Sequence, residues 1–231
     1  MTGRLIDEPG LRDRKGVFRD REHAGRVLSG MLSEYANGDG LVLAIPAGGV
    51  PVGASMARVL GLPLDLCVVS KILLPWTTEA GFGAVAFDGS VWYNPGYIEH
   101  FRLTAEQVAQ ATEAARRKVV RRLRRFRGER PMPEVRGRPV FLVDDGLASG
   151  ATLRAGIAAL RRLGADQLMV AVPTAHRDNA RILAREVAAL YCANLRSGPT
   201  FAVAEAYLEW HDVSDEEVAA LLETMGGASS P

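Results

Sequence analysis

The stretch PVFLVDDGLASGATLRAGIAALRRLG, Pro139 to Gly164, is the most informative part of the sequence. It begins with the apolar run VFLV, which predicts a buried strand, and it ends in an apolar pattern at helical spacing. Between the two stand the adjacent carboxylates Asp144 and Asp145 and a turn rich in Gly, Ser and Thr. In an open parallel sheet, ligands bind beyond the carboxyl ends of the strands. The order of these parts therefore predicts a ligand-binding junction.

Similar apolar runs recur along the chain and alternate with helical patterns. The runs are LVLAI, LDLCVVS, VFLV, QLMVAV and AALYCA. Near-continuous apolar strands that alternate with helices indicate a parallel sheet covered on both faces. We therefore predict an α/β fold, with a doubly wound and mainly parallel sheet, in a single domain over residues 1–231.

Two segments depart from this alternation. Between Lys71 and Pro95 the pattern dissolves into turn residues and short β-like pieces, which predicts a loop or hairpin excursion outside the core, called here the flap (residues 72–95). The second segment, residues 195–231, follows the last predicted strand. Capping-box patterns at Thr104 and Ser214 predict the starts of a long helix and of the last helix.

Composition narrows the class of protein. The chain has 231 residues, 48% of them hydrophobic, and a formal net charge of +1, so no global charge excess indicates a nucleic-acid or membrane binder. Cys67 and Cys192 fall in apolar runs without C-x-x-C spacing, which favours buried, reduced thiols. No apolar run has the length of a membrane span or of a signal-peptide core. We expect a cytoplasmic protein without a membrane partner.

One basic run, residues 116–130, invites a nucleic-acid interpretation. Its apolar residues keep helical spacing, so a solvated helix with a cationic face is the favoured interpretation. The alternative is a contact surface for RNA or DNA.

The chemistry of the junction after VFLV points to a sugar phosphate. Small residues let consecutive backbone N–H groups converge at a helix N-terminus, where the partial positive charge favours a phosphate. Ser149 and Thr152 can add hydroxyl donors. Asp144 and Asp145 can accept hydrogen bonds from vicinal hydroxyls or approach a hydrated Mg²⁺. An acidic pair that only caps the helix is the simpler alternative.

Residues 141–152 resemble the 5-phosphoribosyl-1-diphosphate (PRPP) signature of type I phosphoribosyltransferases. The resemblance implies that Asp144 and Asp145 bind the ribose 2′- and 3′-hydroxyls, and Mg²⁺ through PRPP or water. It assigns the 5′-phosphate to the turn that follows. The residues of that turn are Gly146, Leu147, Ala148, Ser149, Gly150, Ala151 and Thr152.

A second stretch extends the resemblance. LVLAIPAGGVPVGASMARVLGLPLDLCVVSK is similar to the pyrophosphate-loop region of a prokaryotic group of predicted phosphoribosyltransferases of unassigned acceptor. By that resemblance Ala47, Gly48, Gly49 and Lys71 would bind pyrophosphate, since glycines let the backbone approach a polyphosphate closely. A tight strand-to-helix turn is the alternative. The Walker-A glycine spacing lacks its Lys, which excludes that NTPase motif.

The resemblance implies Mg²⁺-dependent transfer of a phosphoribosyl group from PRPP to a nitrogenous base. Lys71 and Glu79 are the candidate catalytic residues, Lys71 for the departing charge and Glu79, in the flap, as acid or base. Glu79 as a solvated loop carboxylate is the alternative. Ala148 stands where 6-oxopurine transferases carry an Asp, which disfavours hypoxanthine and guanine.

The acceptor side of the site is predicted from residues 195–231, which weakly resemble the hood of such enzymes. Phe201 or Trp210 could stack on the base, and His176 could touch pyrophosphate or base, although core packing and a helix start are the ordinary roles of such residues. PRPP and a small base are the expected partners, and a homodimer is allowed. Two alternatives remain: a non-catalytic PRPP-binding regulator of nucleic-acid function, and a ribose-phosphate hydrolase.

Overall fold

A six-stranded sheet, parallel throughout, forms the centre of the computed structural model, which describes residues 3–77 and 80–226. Its strands are β1 (Arg4–Asp7), β2 (Leu41–Ala44), β3 (Leu64–Leu66), β7 (Pro139–Val143), β8 (Gln167–His176) and β9 (Ala189–Arg196). They lie in the order β1-β9-β8-β7-β2-β3, and every neighbouring pair is parallel. The predicted fold class is confirmed.

Helices cover both faces of this sheet. The described helices are α1 (Arg21–Met31), α2 (Gly49–Leu60), α3 (Pro95–His100), α4 (Ala105–Phe126), α5 (Ala151–Arg162), α6 (Arg177–Ala184) and α7 (Asp215–Gly226); of these, α3 and α4 pack against the strands of a second sheet. Successive residues of β7 point to opposite sides, as a strand requires. Phe141 packs with α1 and α2 in one buried cluster, whereas Leu142 packs with α5 and α6 in another.

The predicted capping boxes are confirmed. Thr104 Oγ1 accepts a hydrogen bond from the Gln107 amide at 3.2 Å, and the Gln107 side-chain oxygen accepts one from the Thr104 amide at 2.9 Å. Ser214 and Glu217 make the same reciprocal pair at the start of α7. Each box satisfies N–H groups that a helix terminus otherwise leaves unpaired.

The strands of the flap belong to a second, three-stranded antiparallel sheet. It consists of β4 (Val69–Leu73), β5 (Gly81–Ala86) and β6 (Val91–Tyr93) in the order β4-β5-β6. The hairpin was expected, but its expected place outside the core is wrong. Phe82 and Val85 are fully buried and pack with Val119 of α4.

The predicted strand LDLCVVS is two strands. Its first half is β3, which pairs in parallel with β2, and its second half is part of β4, which pairs antiparallel with β5. Both halves are apolar, and an apolar run does not reveal which strand it will pair with. Lys71 therefore lies inside β4 and not at the carboxyl end of a strand of the parallel sheet.

Both cysteines are buried and unpaired, as predicted. Burial raises the pKa of the Cys67 and Cys192 thiols, which keeps them protonated. In the described part of the chain no helix combines the length and the apolar character that a membrane span requires.

Candidate functional site

A cleft of about 630 Å³ opens where β2 and β7 end. One wall is the turn after β7, a second is the loop between β2 and α2, and a third is one face of α4. The cleft thus contains the acidic pair, Asp144 and Asp145, and the loop with Gly48 and Gly49, called here the glycine loop. The predicted site residues that line it are Ala47, Gly48, Lys71, Asp144, Asp145, Gly146, Ala148, Ser149, Gly150, Thr152 and Trp210.

Asp144 is half-buried and is held from two sides. Its Oδ2 accepts a hydrogen bond from Thr152 Oγ1 at 3.2 Å, and its Oδ1 accepts one from the Asp145 amide at 2.9 Å. Burial, and next the neighbouring Asp145 carboxylate, raise the pKa of Asp144 to about 7. The site therefore holds a carboxyl group that changes charge near neutral pH.

Asp145 has a cationic partner in Arg21, at the start of α1. The guanidinium Nε and Nη2 both lie 3.0 Å from Asp145 Oδ2. Burial raises the pKa of Asp145, and the Arg21 charge opposes that rise. Tyr207 donates a hydrogen bond to the backbone carbonyl of Asp145 at 2.7 Å, so both the side chain and the main chain are fixed.

The turn after the acidic pair leads into the N-terminus of α5. Gly150 adopts a left-handed conformation, φ +77°, which favours glycine and brings the chain round into the helix. Ser149 and Thr152 line the cleft at this turn. The arrangement can hold an anion at a helix N-terminus.

Leu147, predicted to contact the phosphate, does not line the cleft. Its side chain is buried, its amide donates to the Thr174 carbonyl at 2.9 Å, and its carbonyl accepts from the His176 amide at 3.0 Å. These bonds extend the parallel sheet by one bridge beyond the end of β7. Ala151 lies buried in the first turn of α5 and does not line the cleft.

The glycine loop packs directly against the acidic pair. A Cβ atom at Gly48 would overlap the Asp145 carboxylate, and one at Gly49 would lie 2.8 Å from the Val143 carbonyl oxygen. The Gly49 amide donates to the Ile45 carbonyl at 3.1 Å. Gly49 therefore serves close packing. The resemblance predicts that it binds pyrophosphate, but its N–H is already hydrogen-bonded within the protein.

Besides the ion-paired Arg21 and Arg122, three further cationic side chains line the same cleft. Lys71 enters it from β4, and Lys118 and Arg121 enter it from α4. In residues 3–77 and 80–226 none of the three makes an ion pair, and Lys118 is half-buried. Unpaired cations that share one cleft form a site for a polyanion.

The basic run contributes to the interior as well as to the surface. Arg122 and Arg127 are buried and paired with Asp215 and Asp65, at 2.7 and 2.6 Å. The expectation of a solvated cationic helix is wrong for these two arginines, because their partners lie far away in the sequence. Fewer basic side chains of the run therefore remain exposed for a nucleic-acid surface.

The three predicted base-binding residues are not together. Trp210 lines the cleft, but the Arg21 guanidinium carbon lies 3.8 Å from the centre of its ring, so one face is covered. His176 and Phe201 form an edge-to-face pair outside the cleft, with ring centres 6.1 Å apart. Glu79, the candidate acid or base, lies outside the described residues.

Arg21, Lys118 and Arg122 line the cleft but were not predicted as site residues. Arg21 is one basic residue among several near the N-terminus, and no local pattern indicates its partner. For Lys118 and Arg122 the sequence does contain an indication: they stand four residues apart, which places both on the same face of the predicted helix.

The oxygen donors of the cleft suit a hard cation. Asp144 and Asp145 offer two carboxylates, and Mg²⁺ is commonly bound by one or two carboxylates together with substrate phosphates. Among the described residues no group of three or more His, Cys, Asp or Glu side chains is placed to hold a metal by itself. The residues therefore fit a Mg²⁺ ion that arrives with a phosphorylated ligand.

Comparison with known proteins supports the same kind of site. The family model described as a phosphoribosyl transferase domain matches residues 84–196, which include the acidic pair and the turn after it. Two Mycobacterium tuberculosis proteins with the provisional name of phosphoribosyl transferase, MT0597 of strain CDC 1551 and Rv0571c of strain H37Rv, are each 34% identical to this chain over 207 residues. The match covers 90% of this chain but 46% of each relative, so the chain spans about half the length of these curated relatives.

A solved structure matches the whole fold. The crystal structure of the protein TT1426 from Thermus thermophilus has a TM-score of 0.71 at 32% identity, with 90% of this chain and 98% of that chain covered. A relative at this identity, matched over nearly its full length, shares the family as well as the fold. Together with the family-model match, this shows that the chain belongs to the phosphoribosyl transferase domain family.

Proposed function

We propose that this protein is a phosphoribosyltransferase that moves the 5-phosphoribosyl group of PRPP to a nitrogenous base and releases pyrophosphate. One observation carries the proposal: Gly48 packs against Asp145, so the glycine loop, the acidic pair and the turn into α5 form one continuous cleft. A diphosphate, a ribose diol and a phosphate monoester can then be held side by side, and PRPP carries these three groups in this order.

The residues of the chain act mainly by positioning. Asp144 and Asp145 would accept hydrogen bonds from the ribose 2′- and 3′-hydroxyls, and the amides and hydroxyls of Ser149, Gly150 and Thr152 would hold the 5′-phosphate. A donor fixed at both ends presents C1′ to the acceptor in one orientation, and orientation alone can supply a large part of the rate enhancement.

The leaving diphosphate would lie against the glycine loop. The Ala47 and Gly48 amides and the Lys71 ammonium would stabilise the charge that develops as the bond to C1′ breaks. Mg²⁺, bound with the donor near Asp144 and Asp145, would supply further neutralisation of that charge. In this proposal Ala47, Gly48 and Lys71 keep their predicted pyrophosphate role, and Gly49 keeps only a packing role.

The flap would close over the reacting atoms and exclude water, which otherwise hydrolyses the developing ribosyl cation. Its strands are anchored by buried Phe82 and Val85. Glu79, which the sequence places in the flap, stays our candidate for proton transfer.

The acceptor is a small base, and a 6-oxopurine is disfavoured. Ala148 lines the cleft without a carboxylate at the position where 6-oxopurine transferases carry one. Trp210 is the best-placed aromatic for the base, ahead of Phe201 and His176, which do not line the cleft. We infer a cytoplasmic location, since Cys67 and Cys192 are buried free thiols.

The test is pyrophosphate release from PRPP and Mg²⁺ on addition of each nucleobase of a panel. We expect release that depends on one base, and its loss in the Asp144→Asn, Asp145→Asn double variant with the fold intact. Asp178→Asn is the matched control, because Asp178 lies on α6 outside the cleft.

Two results would contradict the proposal. In the first, PRPP binds but no base of the panel releases pyrophosphate, which would favour a PRPP-binding regulator. In the second, phosphate is released from ribose 5-phosphate without a base, which would favour a hydrolase.

A further inference from the structure

One face of α4 forms a wall of the cleft. Its lining residues are separated mostly by three or four positions, so that they lie on one side of the helix. They are Ala111, Ala114, Ala115, Lys118, Arg121 and Arg122. The alanines leave space beside the helix, and the cations follow them towards its C-terminal half.

Arg122 holds α4 in place against the glycine loop and α7. Its Nη1 donates to the Pro46 carbonyl at 3.1 Å, and its Nε and Nη2 lie 3.0 and 2.7 Å from Asp215 Oδ1. The first bond ties α4 to the glycine loop. Because Asp215 already neutralises Arg122, the charge left to a ligand on this wall belongs to Lys118 and Arg121.

Lys118 is held among like charges. It is half-buried, and burial, followed by the nearby charge of Arg122, lowers its pKa, while the Asp215 carboxylate opposes part of this shift. Lys71 acts on it in the same direction from β4. Cations that repel one another at the edge of a cleft are an unfavourable arrangement unless an anion binds between them.

We propose that Lys118, assisted by Arg121, binds the diphosphate of the donor and so determines that the cleft selects PRPP over ribose 5-phosphate. The inference rests on the proposed function for the placement of the sugar, but not on transfer taking place. The monophosphate turn and the acidic pair lie after β7, and Lys118 lies on α4 beside the glycine loop. Binding at the two ends is therefore separable by mutation.

Calorimetric titration with inorganic pyrophosphate, ribose 5-phosphate and PRPP, each with Mg²⁺, tests this inference. In Lys118→Gln we expect pyrophosphate and PRPP affinity to fall about tenfold or more, the effect of losing a charge-assisted contact. Ribose 5-phosphate affinity should stay as in the parent. Lys118→Arg should recover most of the lost affinity.

The matched control is Arg117→Gln. Arg117 precedes Lys118 on the same helix, but it is exposed, pairs with Glu113 at 3.6 Å and does not line this cleft. It removes the same charge from α4, so a long-range charge effect would appear in both variants. Thermal unfolding of all variants establishes that each is folded.

Three outcomes would overturn the inference: Lys118→Gln binds pyrophosphate as tightly as the parent, Arg117→Gln loses as much affinity as Lys118→Gln, or the parent binds no pyrophosphate. Failure of the proposed function looks different. In that case no base releases pyrophosphate from PRPP, while the dependence of pyrophosphate binding on Lys118 persists.

Discussion

Arg21 and Asp145, 124 residues apart in the sequence, form a hydrogen-bonded ion pair at the centre of the cleft, with Nε and Oδ2 3.0 Å apart. The same guanidinium donates to the His211 carbonyl at 2.8 Å and stacks on the ring of Trp210. Arg21 therefore joins the start of α1, the acidic pair and the segment before α7. It orients Asp145 and supplies the charge that favours the ionised form of this carboxylate.

Replacement of Arg21 by Met should both destabilise the protein and weaken sugar binding. It leaves Asp145, whose side chain is 18% exposed, without its counter-charge, so we expect the free energy of unfolding to fall by about 2 kcal/mol, less than for a fully buried pair. Urea titration measures this loss, and calorimetry should show weaker ribose 5-phosphate binding. Arg26→Met, which removes an exposed partner of Glu22, is the control and should change both by little. Unchanged sugar affinity in the Arg21 variant would show that Arg21 does not contribute to sugar binding.

The stability of the ligand-free protein should fall as the pH rises from about 4 to about 7, because the pKa of Asp144 rises from its ordinary value to about 7 on folding. The folded state binds the Asp144 proton more tightly than the unfolded chain does. The cost of ionising Asp144 in the folded state is therefore absent below this pH window and complete above it. Denaturant titrations at pH 5 and pH 8 measure the slope.

Asp144→Asn is the variant that tests the origin of this slope. It should be more stable than the parent at pH 8 and should show a smaller pH dependence, while PRPP binding falls. Such a trade of stability against function is common at binding sites. A slope that is the same in Asp144→Asn as in the parent would assign the effect to other groups.

Gly48→Ala should disrupt the cleft without replacing any charged residue. The added methyl group would overlap the Asp145 carboxylate, so either the loop or the acidic pair must move. We expect PRPP affinity to fall by at least about tenfold, since small displacements at a binding site are costly. Gly30→Ala, a helical position in α1 with open space around it, should leave affinity unchanged. Equal affinity in both variants would contradict the close packing of loop and acidic pair.

The pair Arg122–Asp215 should couple α4 to α7. Arg122→Met or Asp215→Asn alone leaves a poorly solvated charge, and we expect each to cost about 2 kcal/mol of stability, less than for a fully buried pair because the Asp215 side chain is 22% exposed. The double variant should cost less than the sum, which a double-mutant cycle measures. The exposed pair Arg125–Glu216 joins the same two helices and should show a coupling below about 1 kcal/mol. Equal coupling in the two pairs would show that burial is not what makes Arg122 important.

Local patterns predicted what local interactions determine. The strand and helix at Pro139–Gly164 and the capping box at Thr104 follow from hydrophobic spacing and from hydrogen bonds between near neighbours. The flap was misplaced because its glycines were taken as turn signals. Gly83 instead lets two strands approach, since a Cβ there would lie 2.5 Å from the Trp92 carbonyl oxygen.

The parts of the site that escaped prediction depend on contacts between distant segments. The pairing of Arg21 with Asp145 and that of Arg122 with Asp215 are set by how the sheet and the helices assemble, and neither is encoded in a local pattern. Leu147 was assigned to the phosphate turn because it stands between predicted phosphate-binding residues. Its amide is instead used by the neighbouring strand, which only the sheet order determines.

The meeting of Arg21, Asp145 and His211 has a consequence for synthesis of the protein. A ribosome delivers Arg21 early and the acidic pair much later, and the carbonyl of His211 only after β9 is complete. During translation, Arg21 and Asp145 are therefore synthesised before His211, whose carbonyl also accepts a hydrogen bond from Arg21. We expect nascent chains truncated after β9 to form the sheet and yet fail to retain a sugar phosphate, so that binding competence arises as one of the last events of folding.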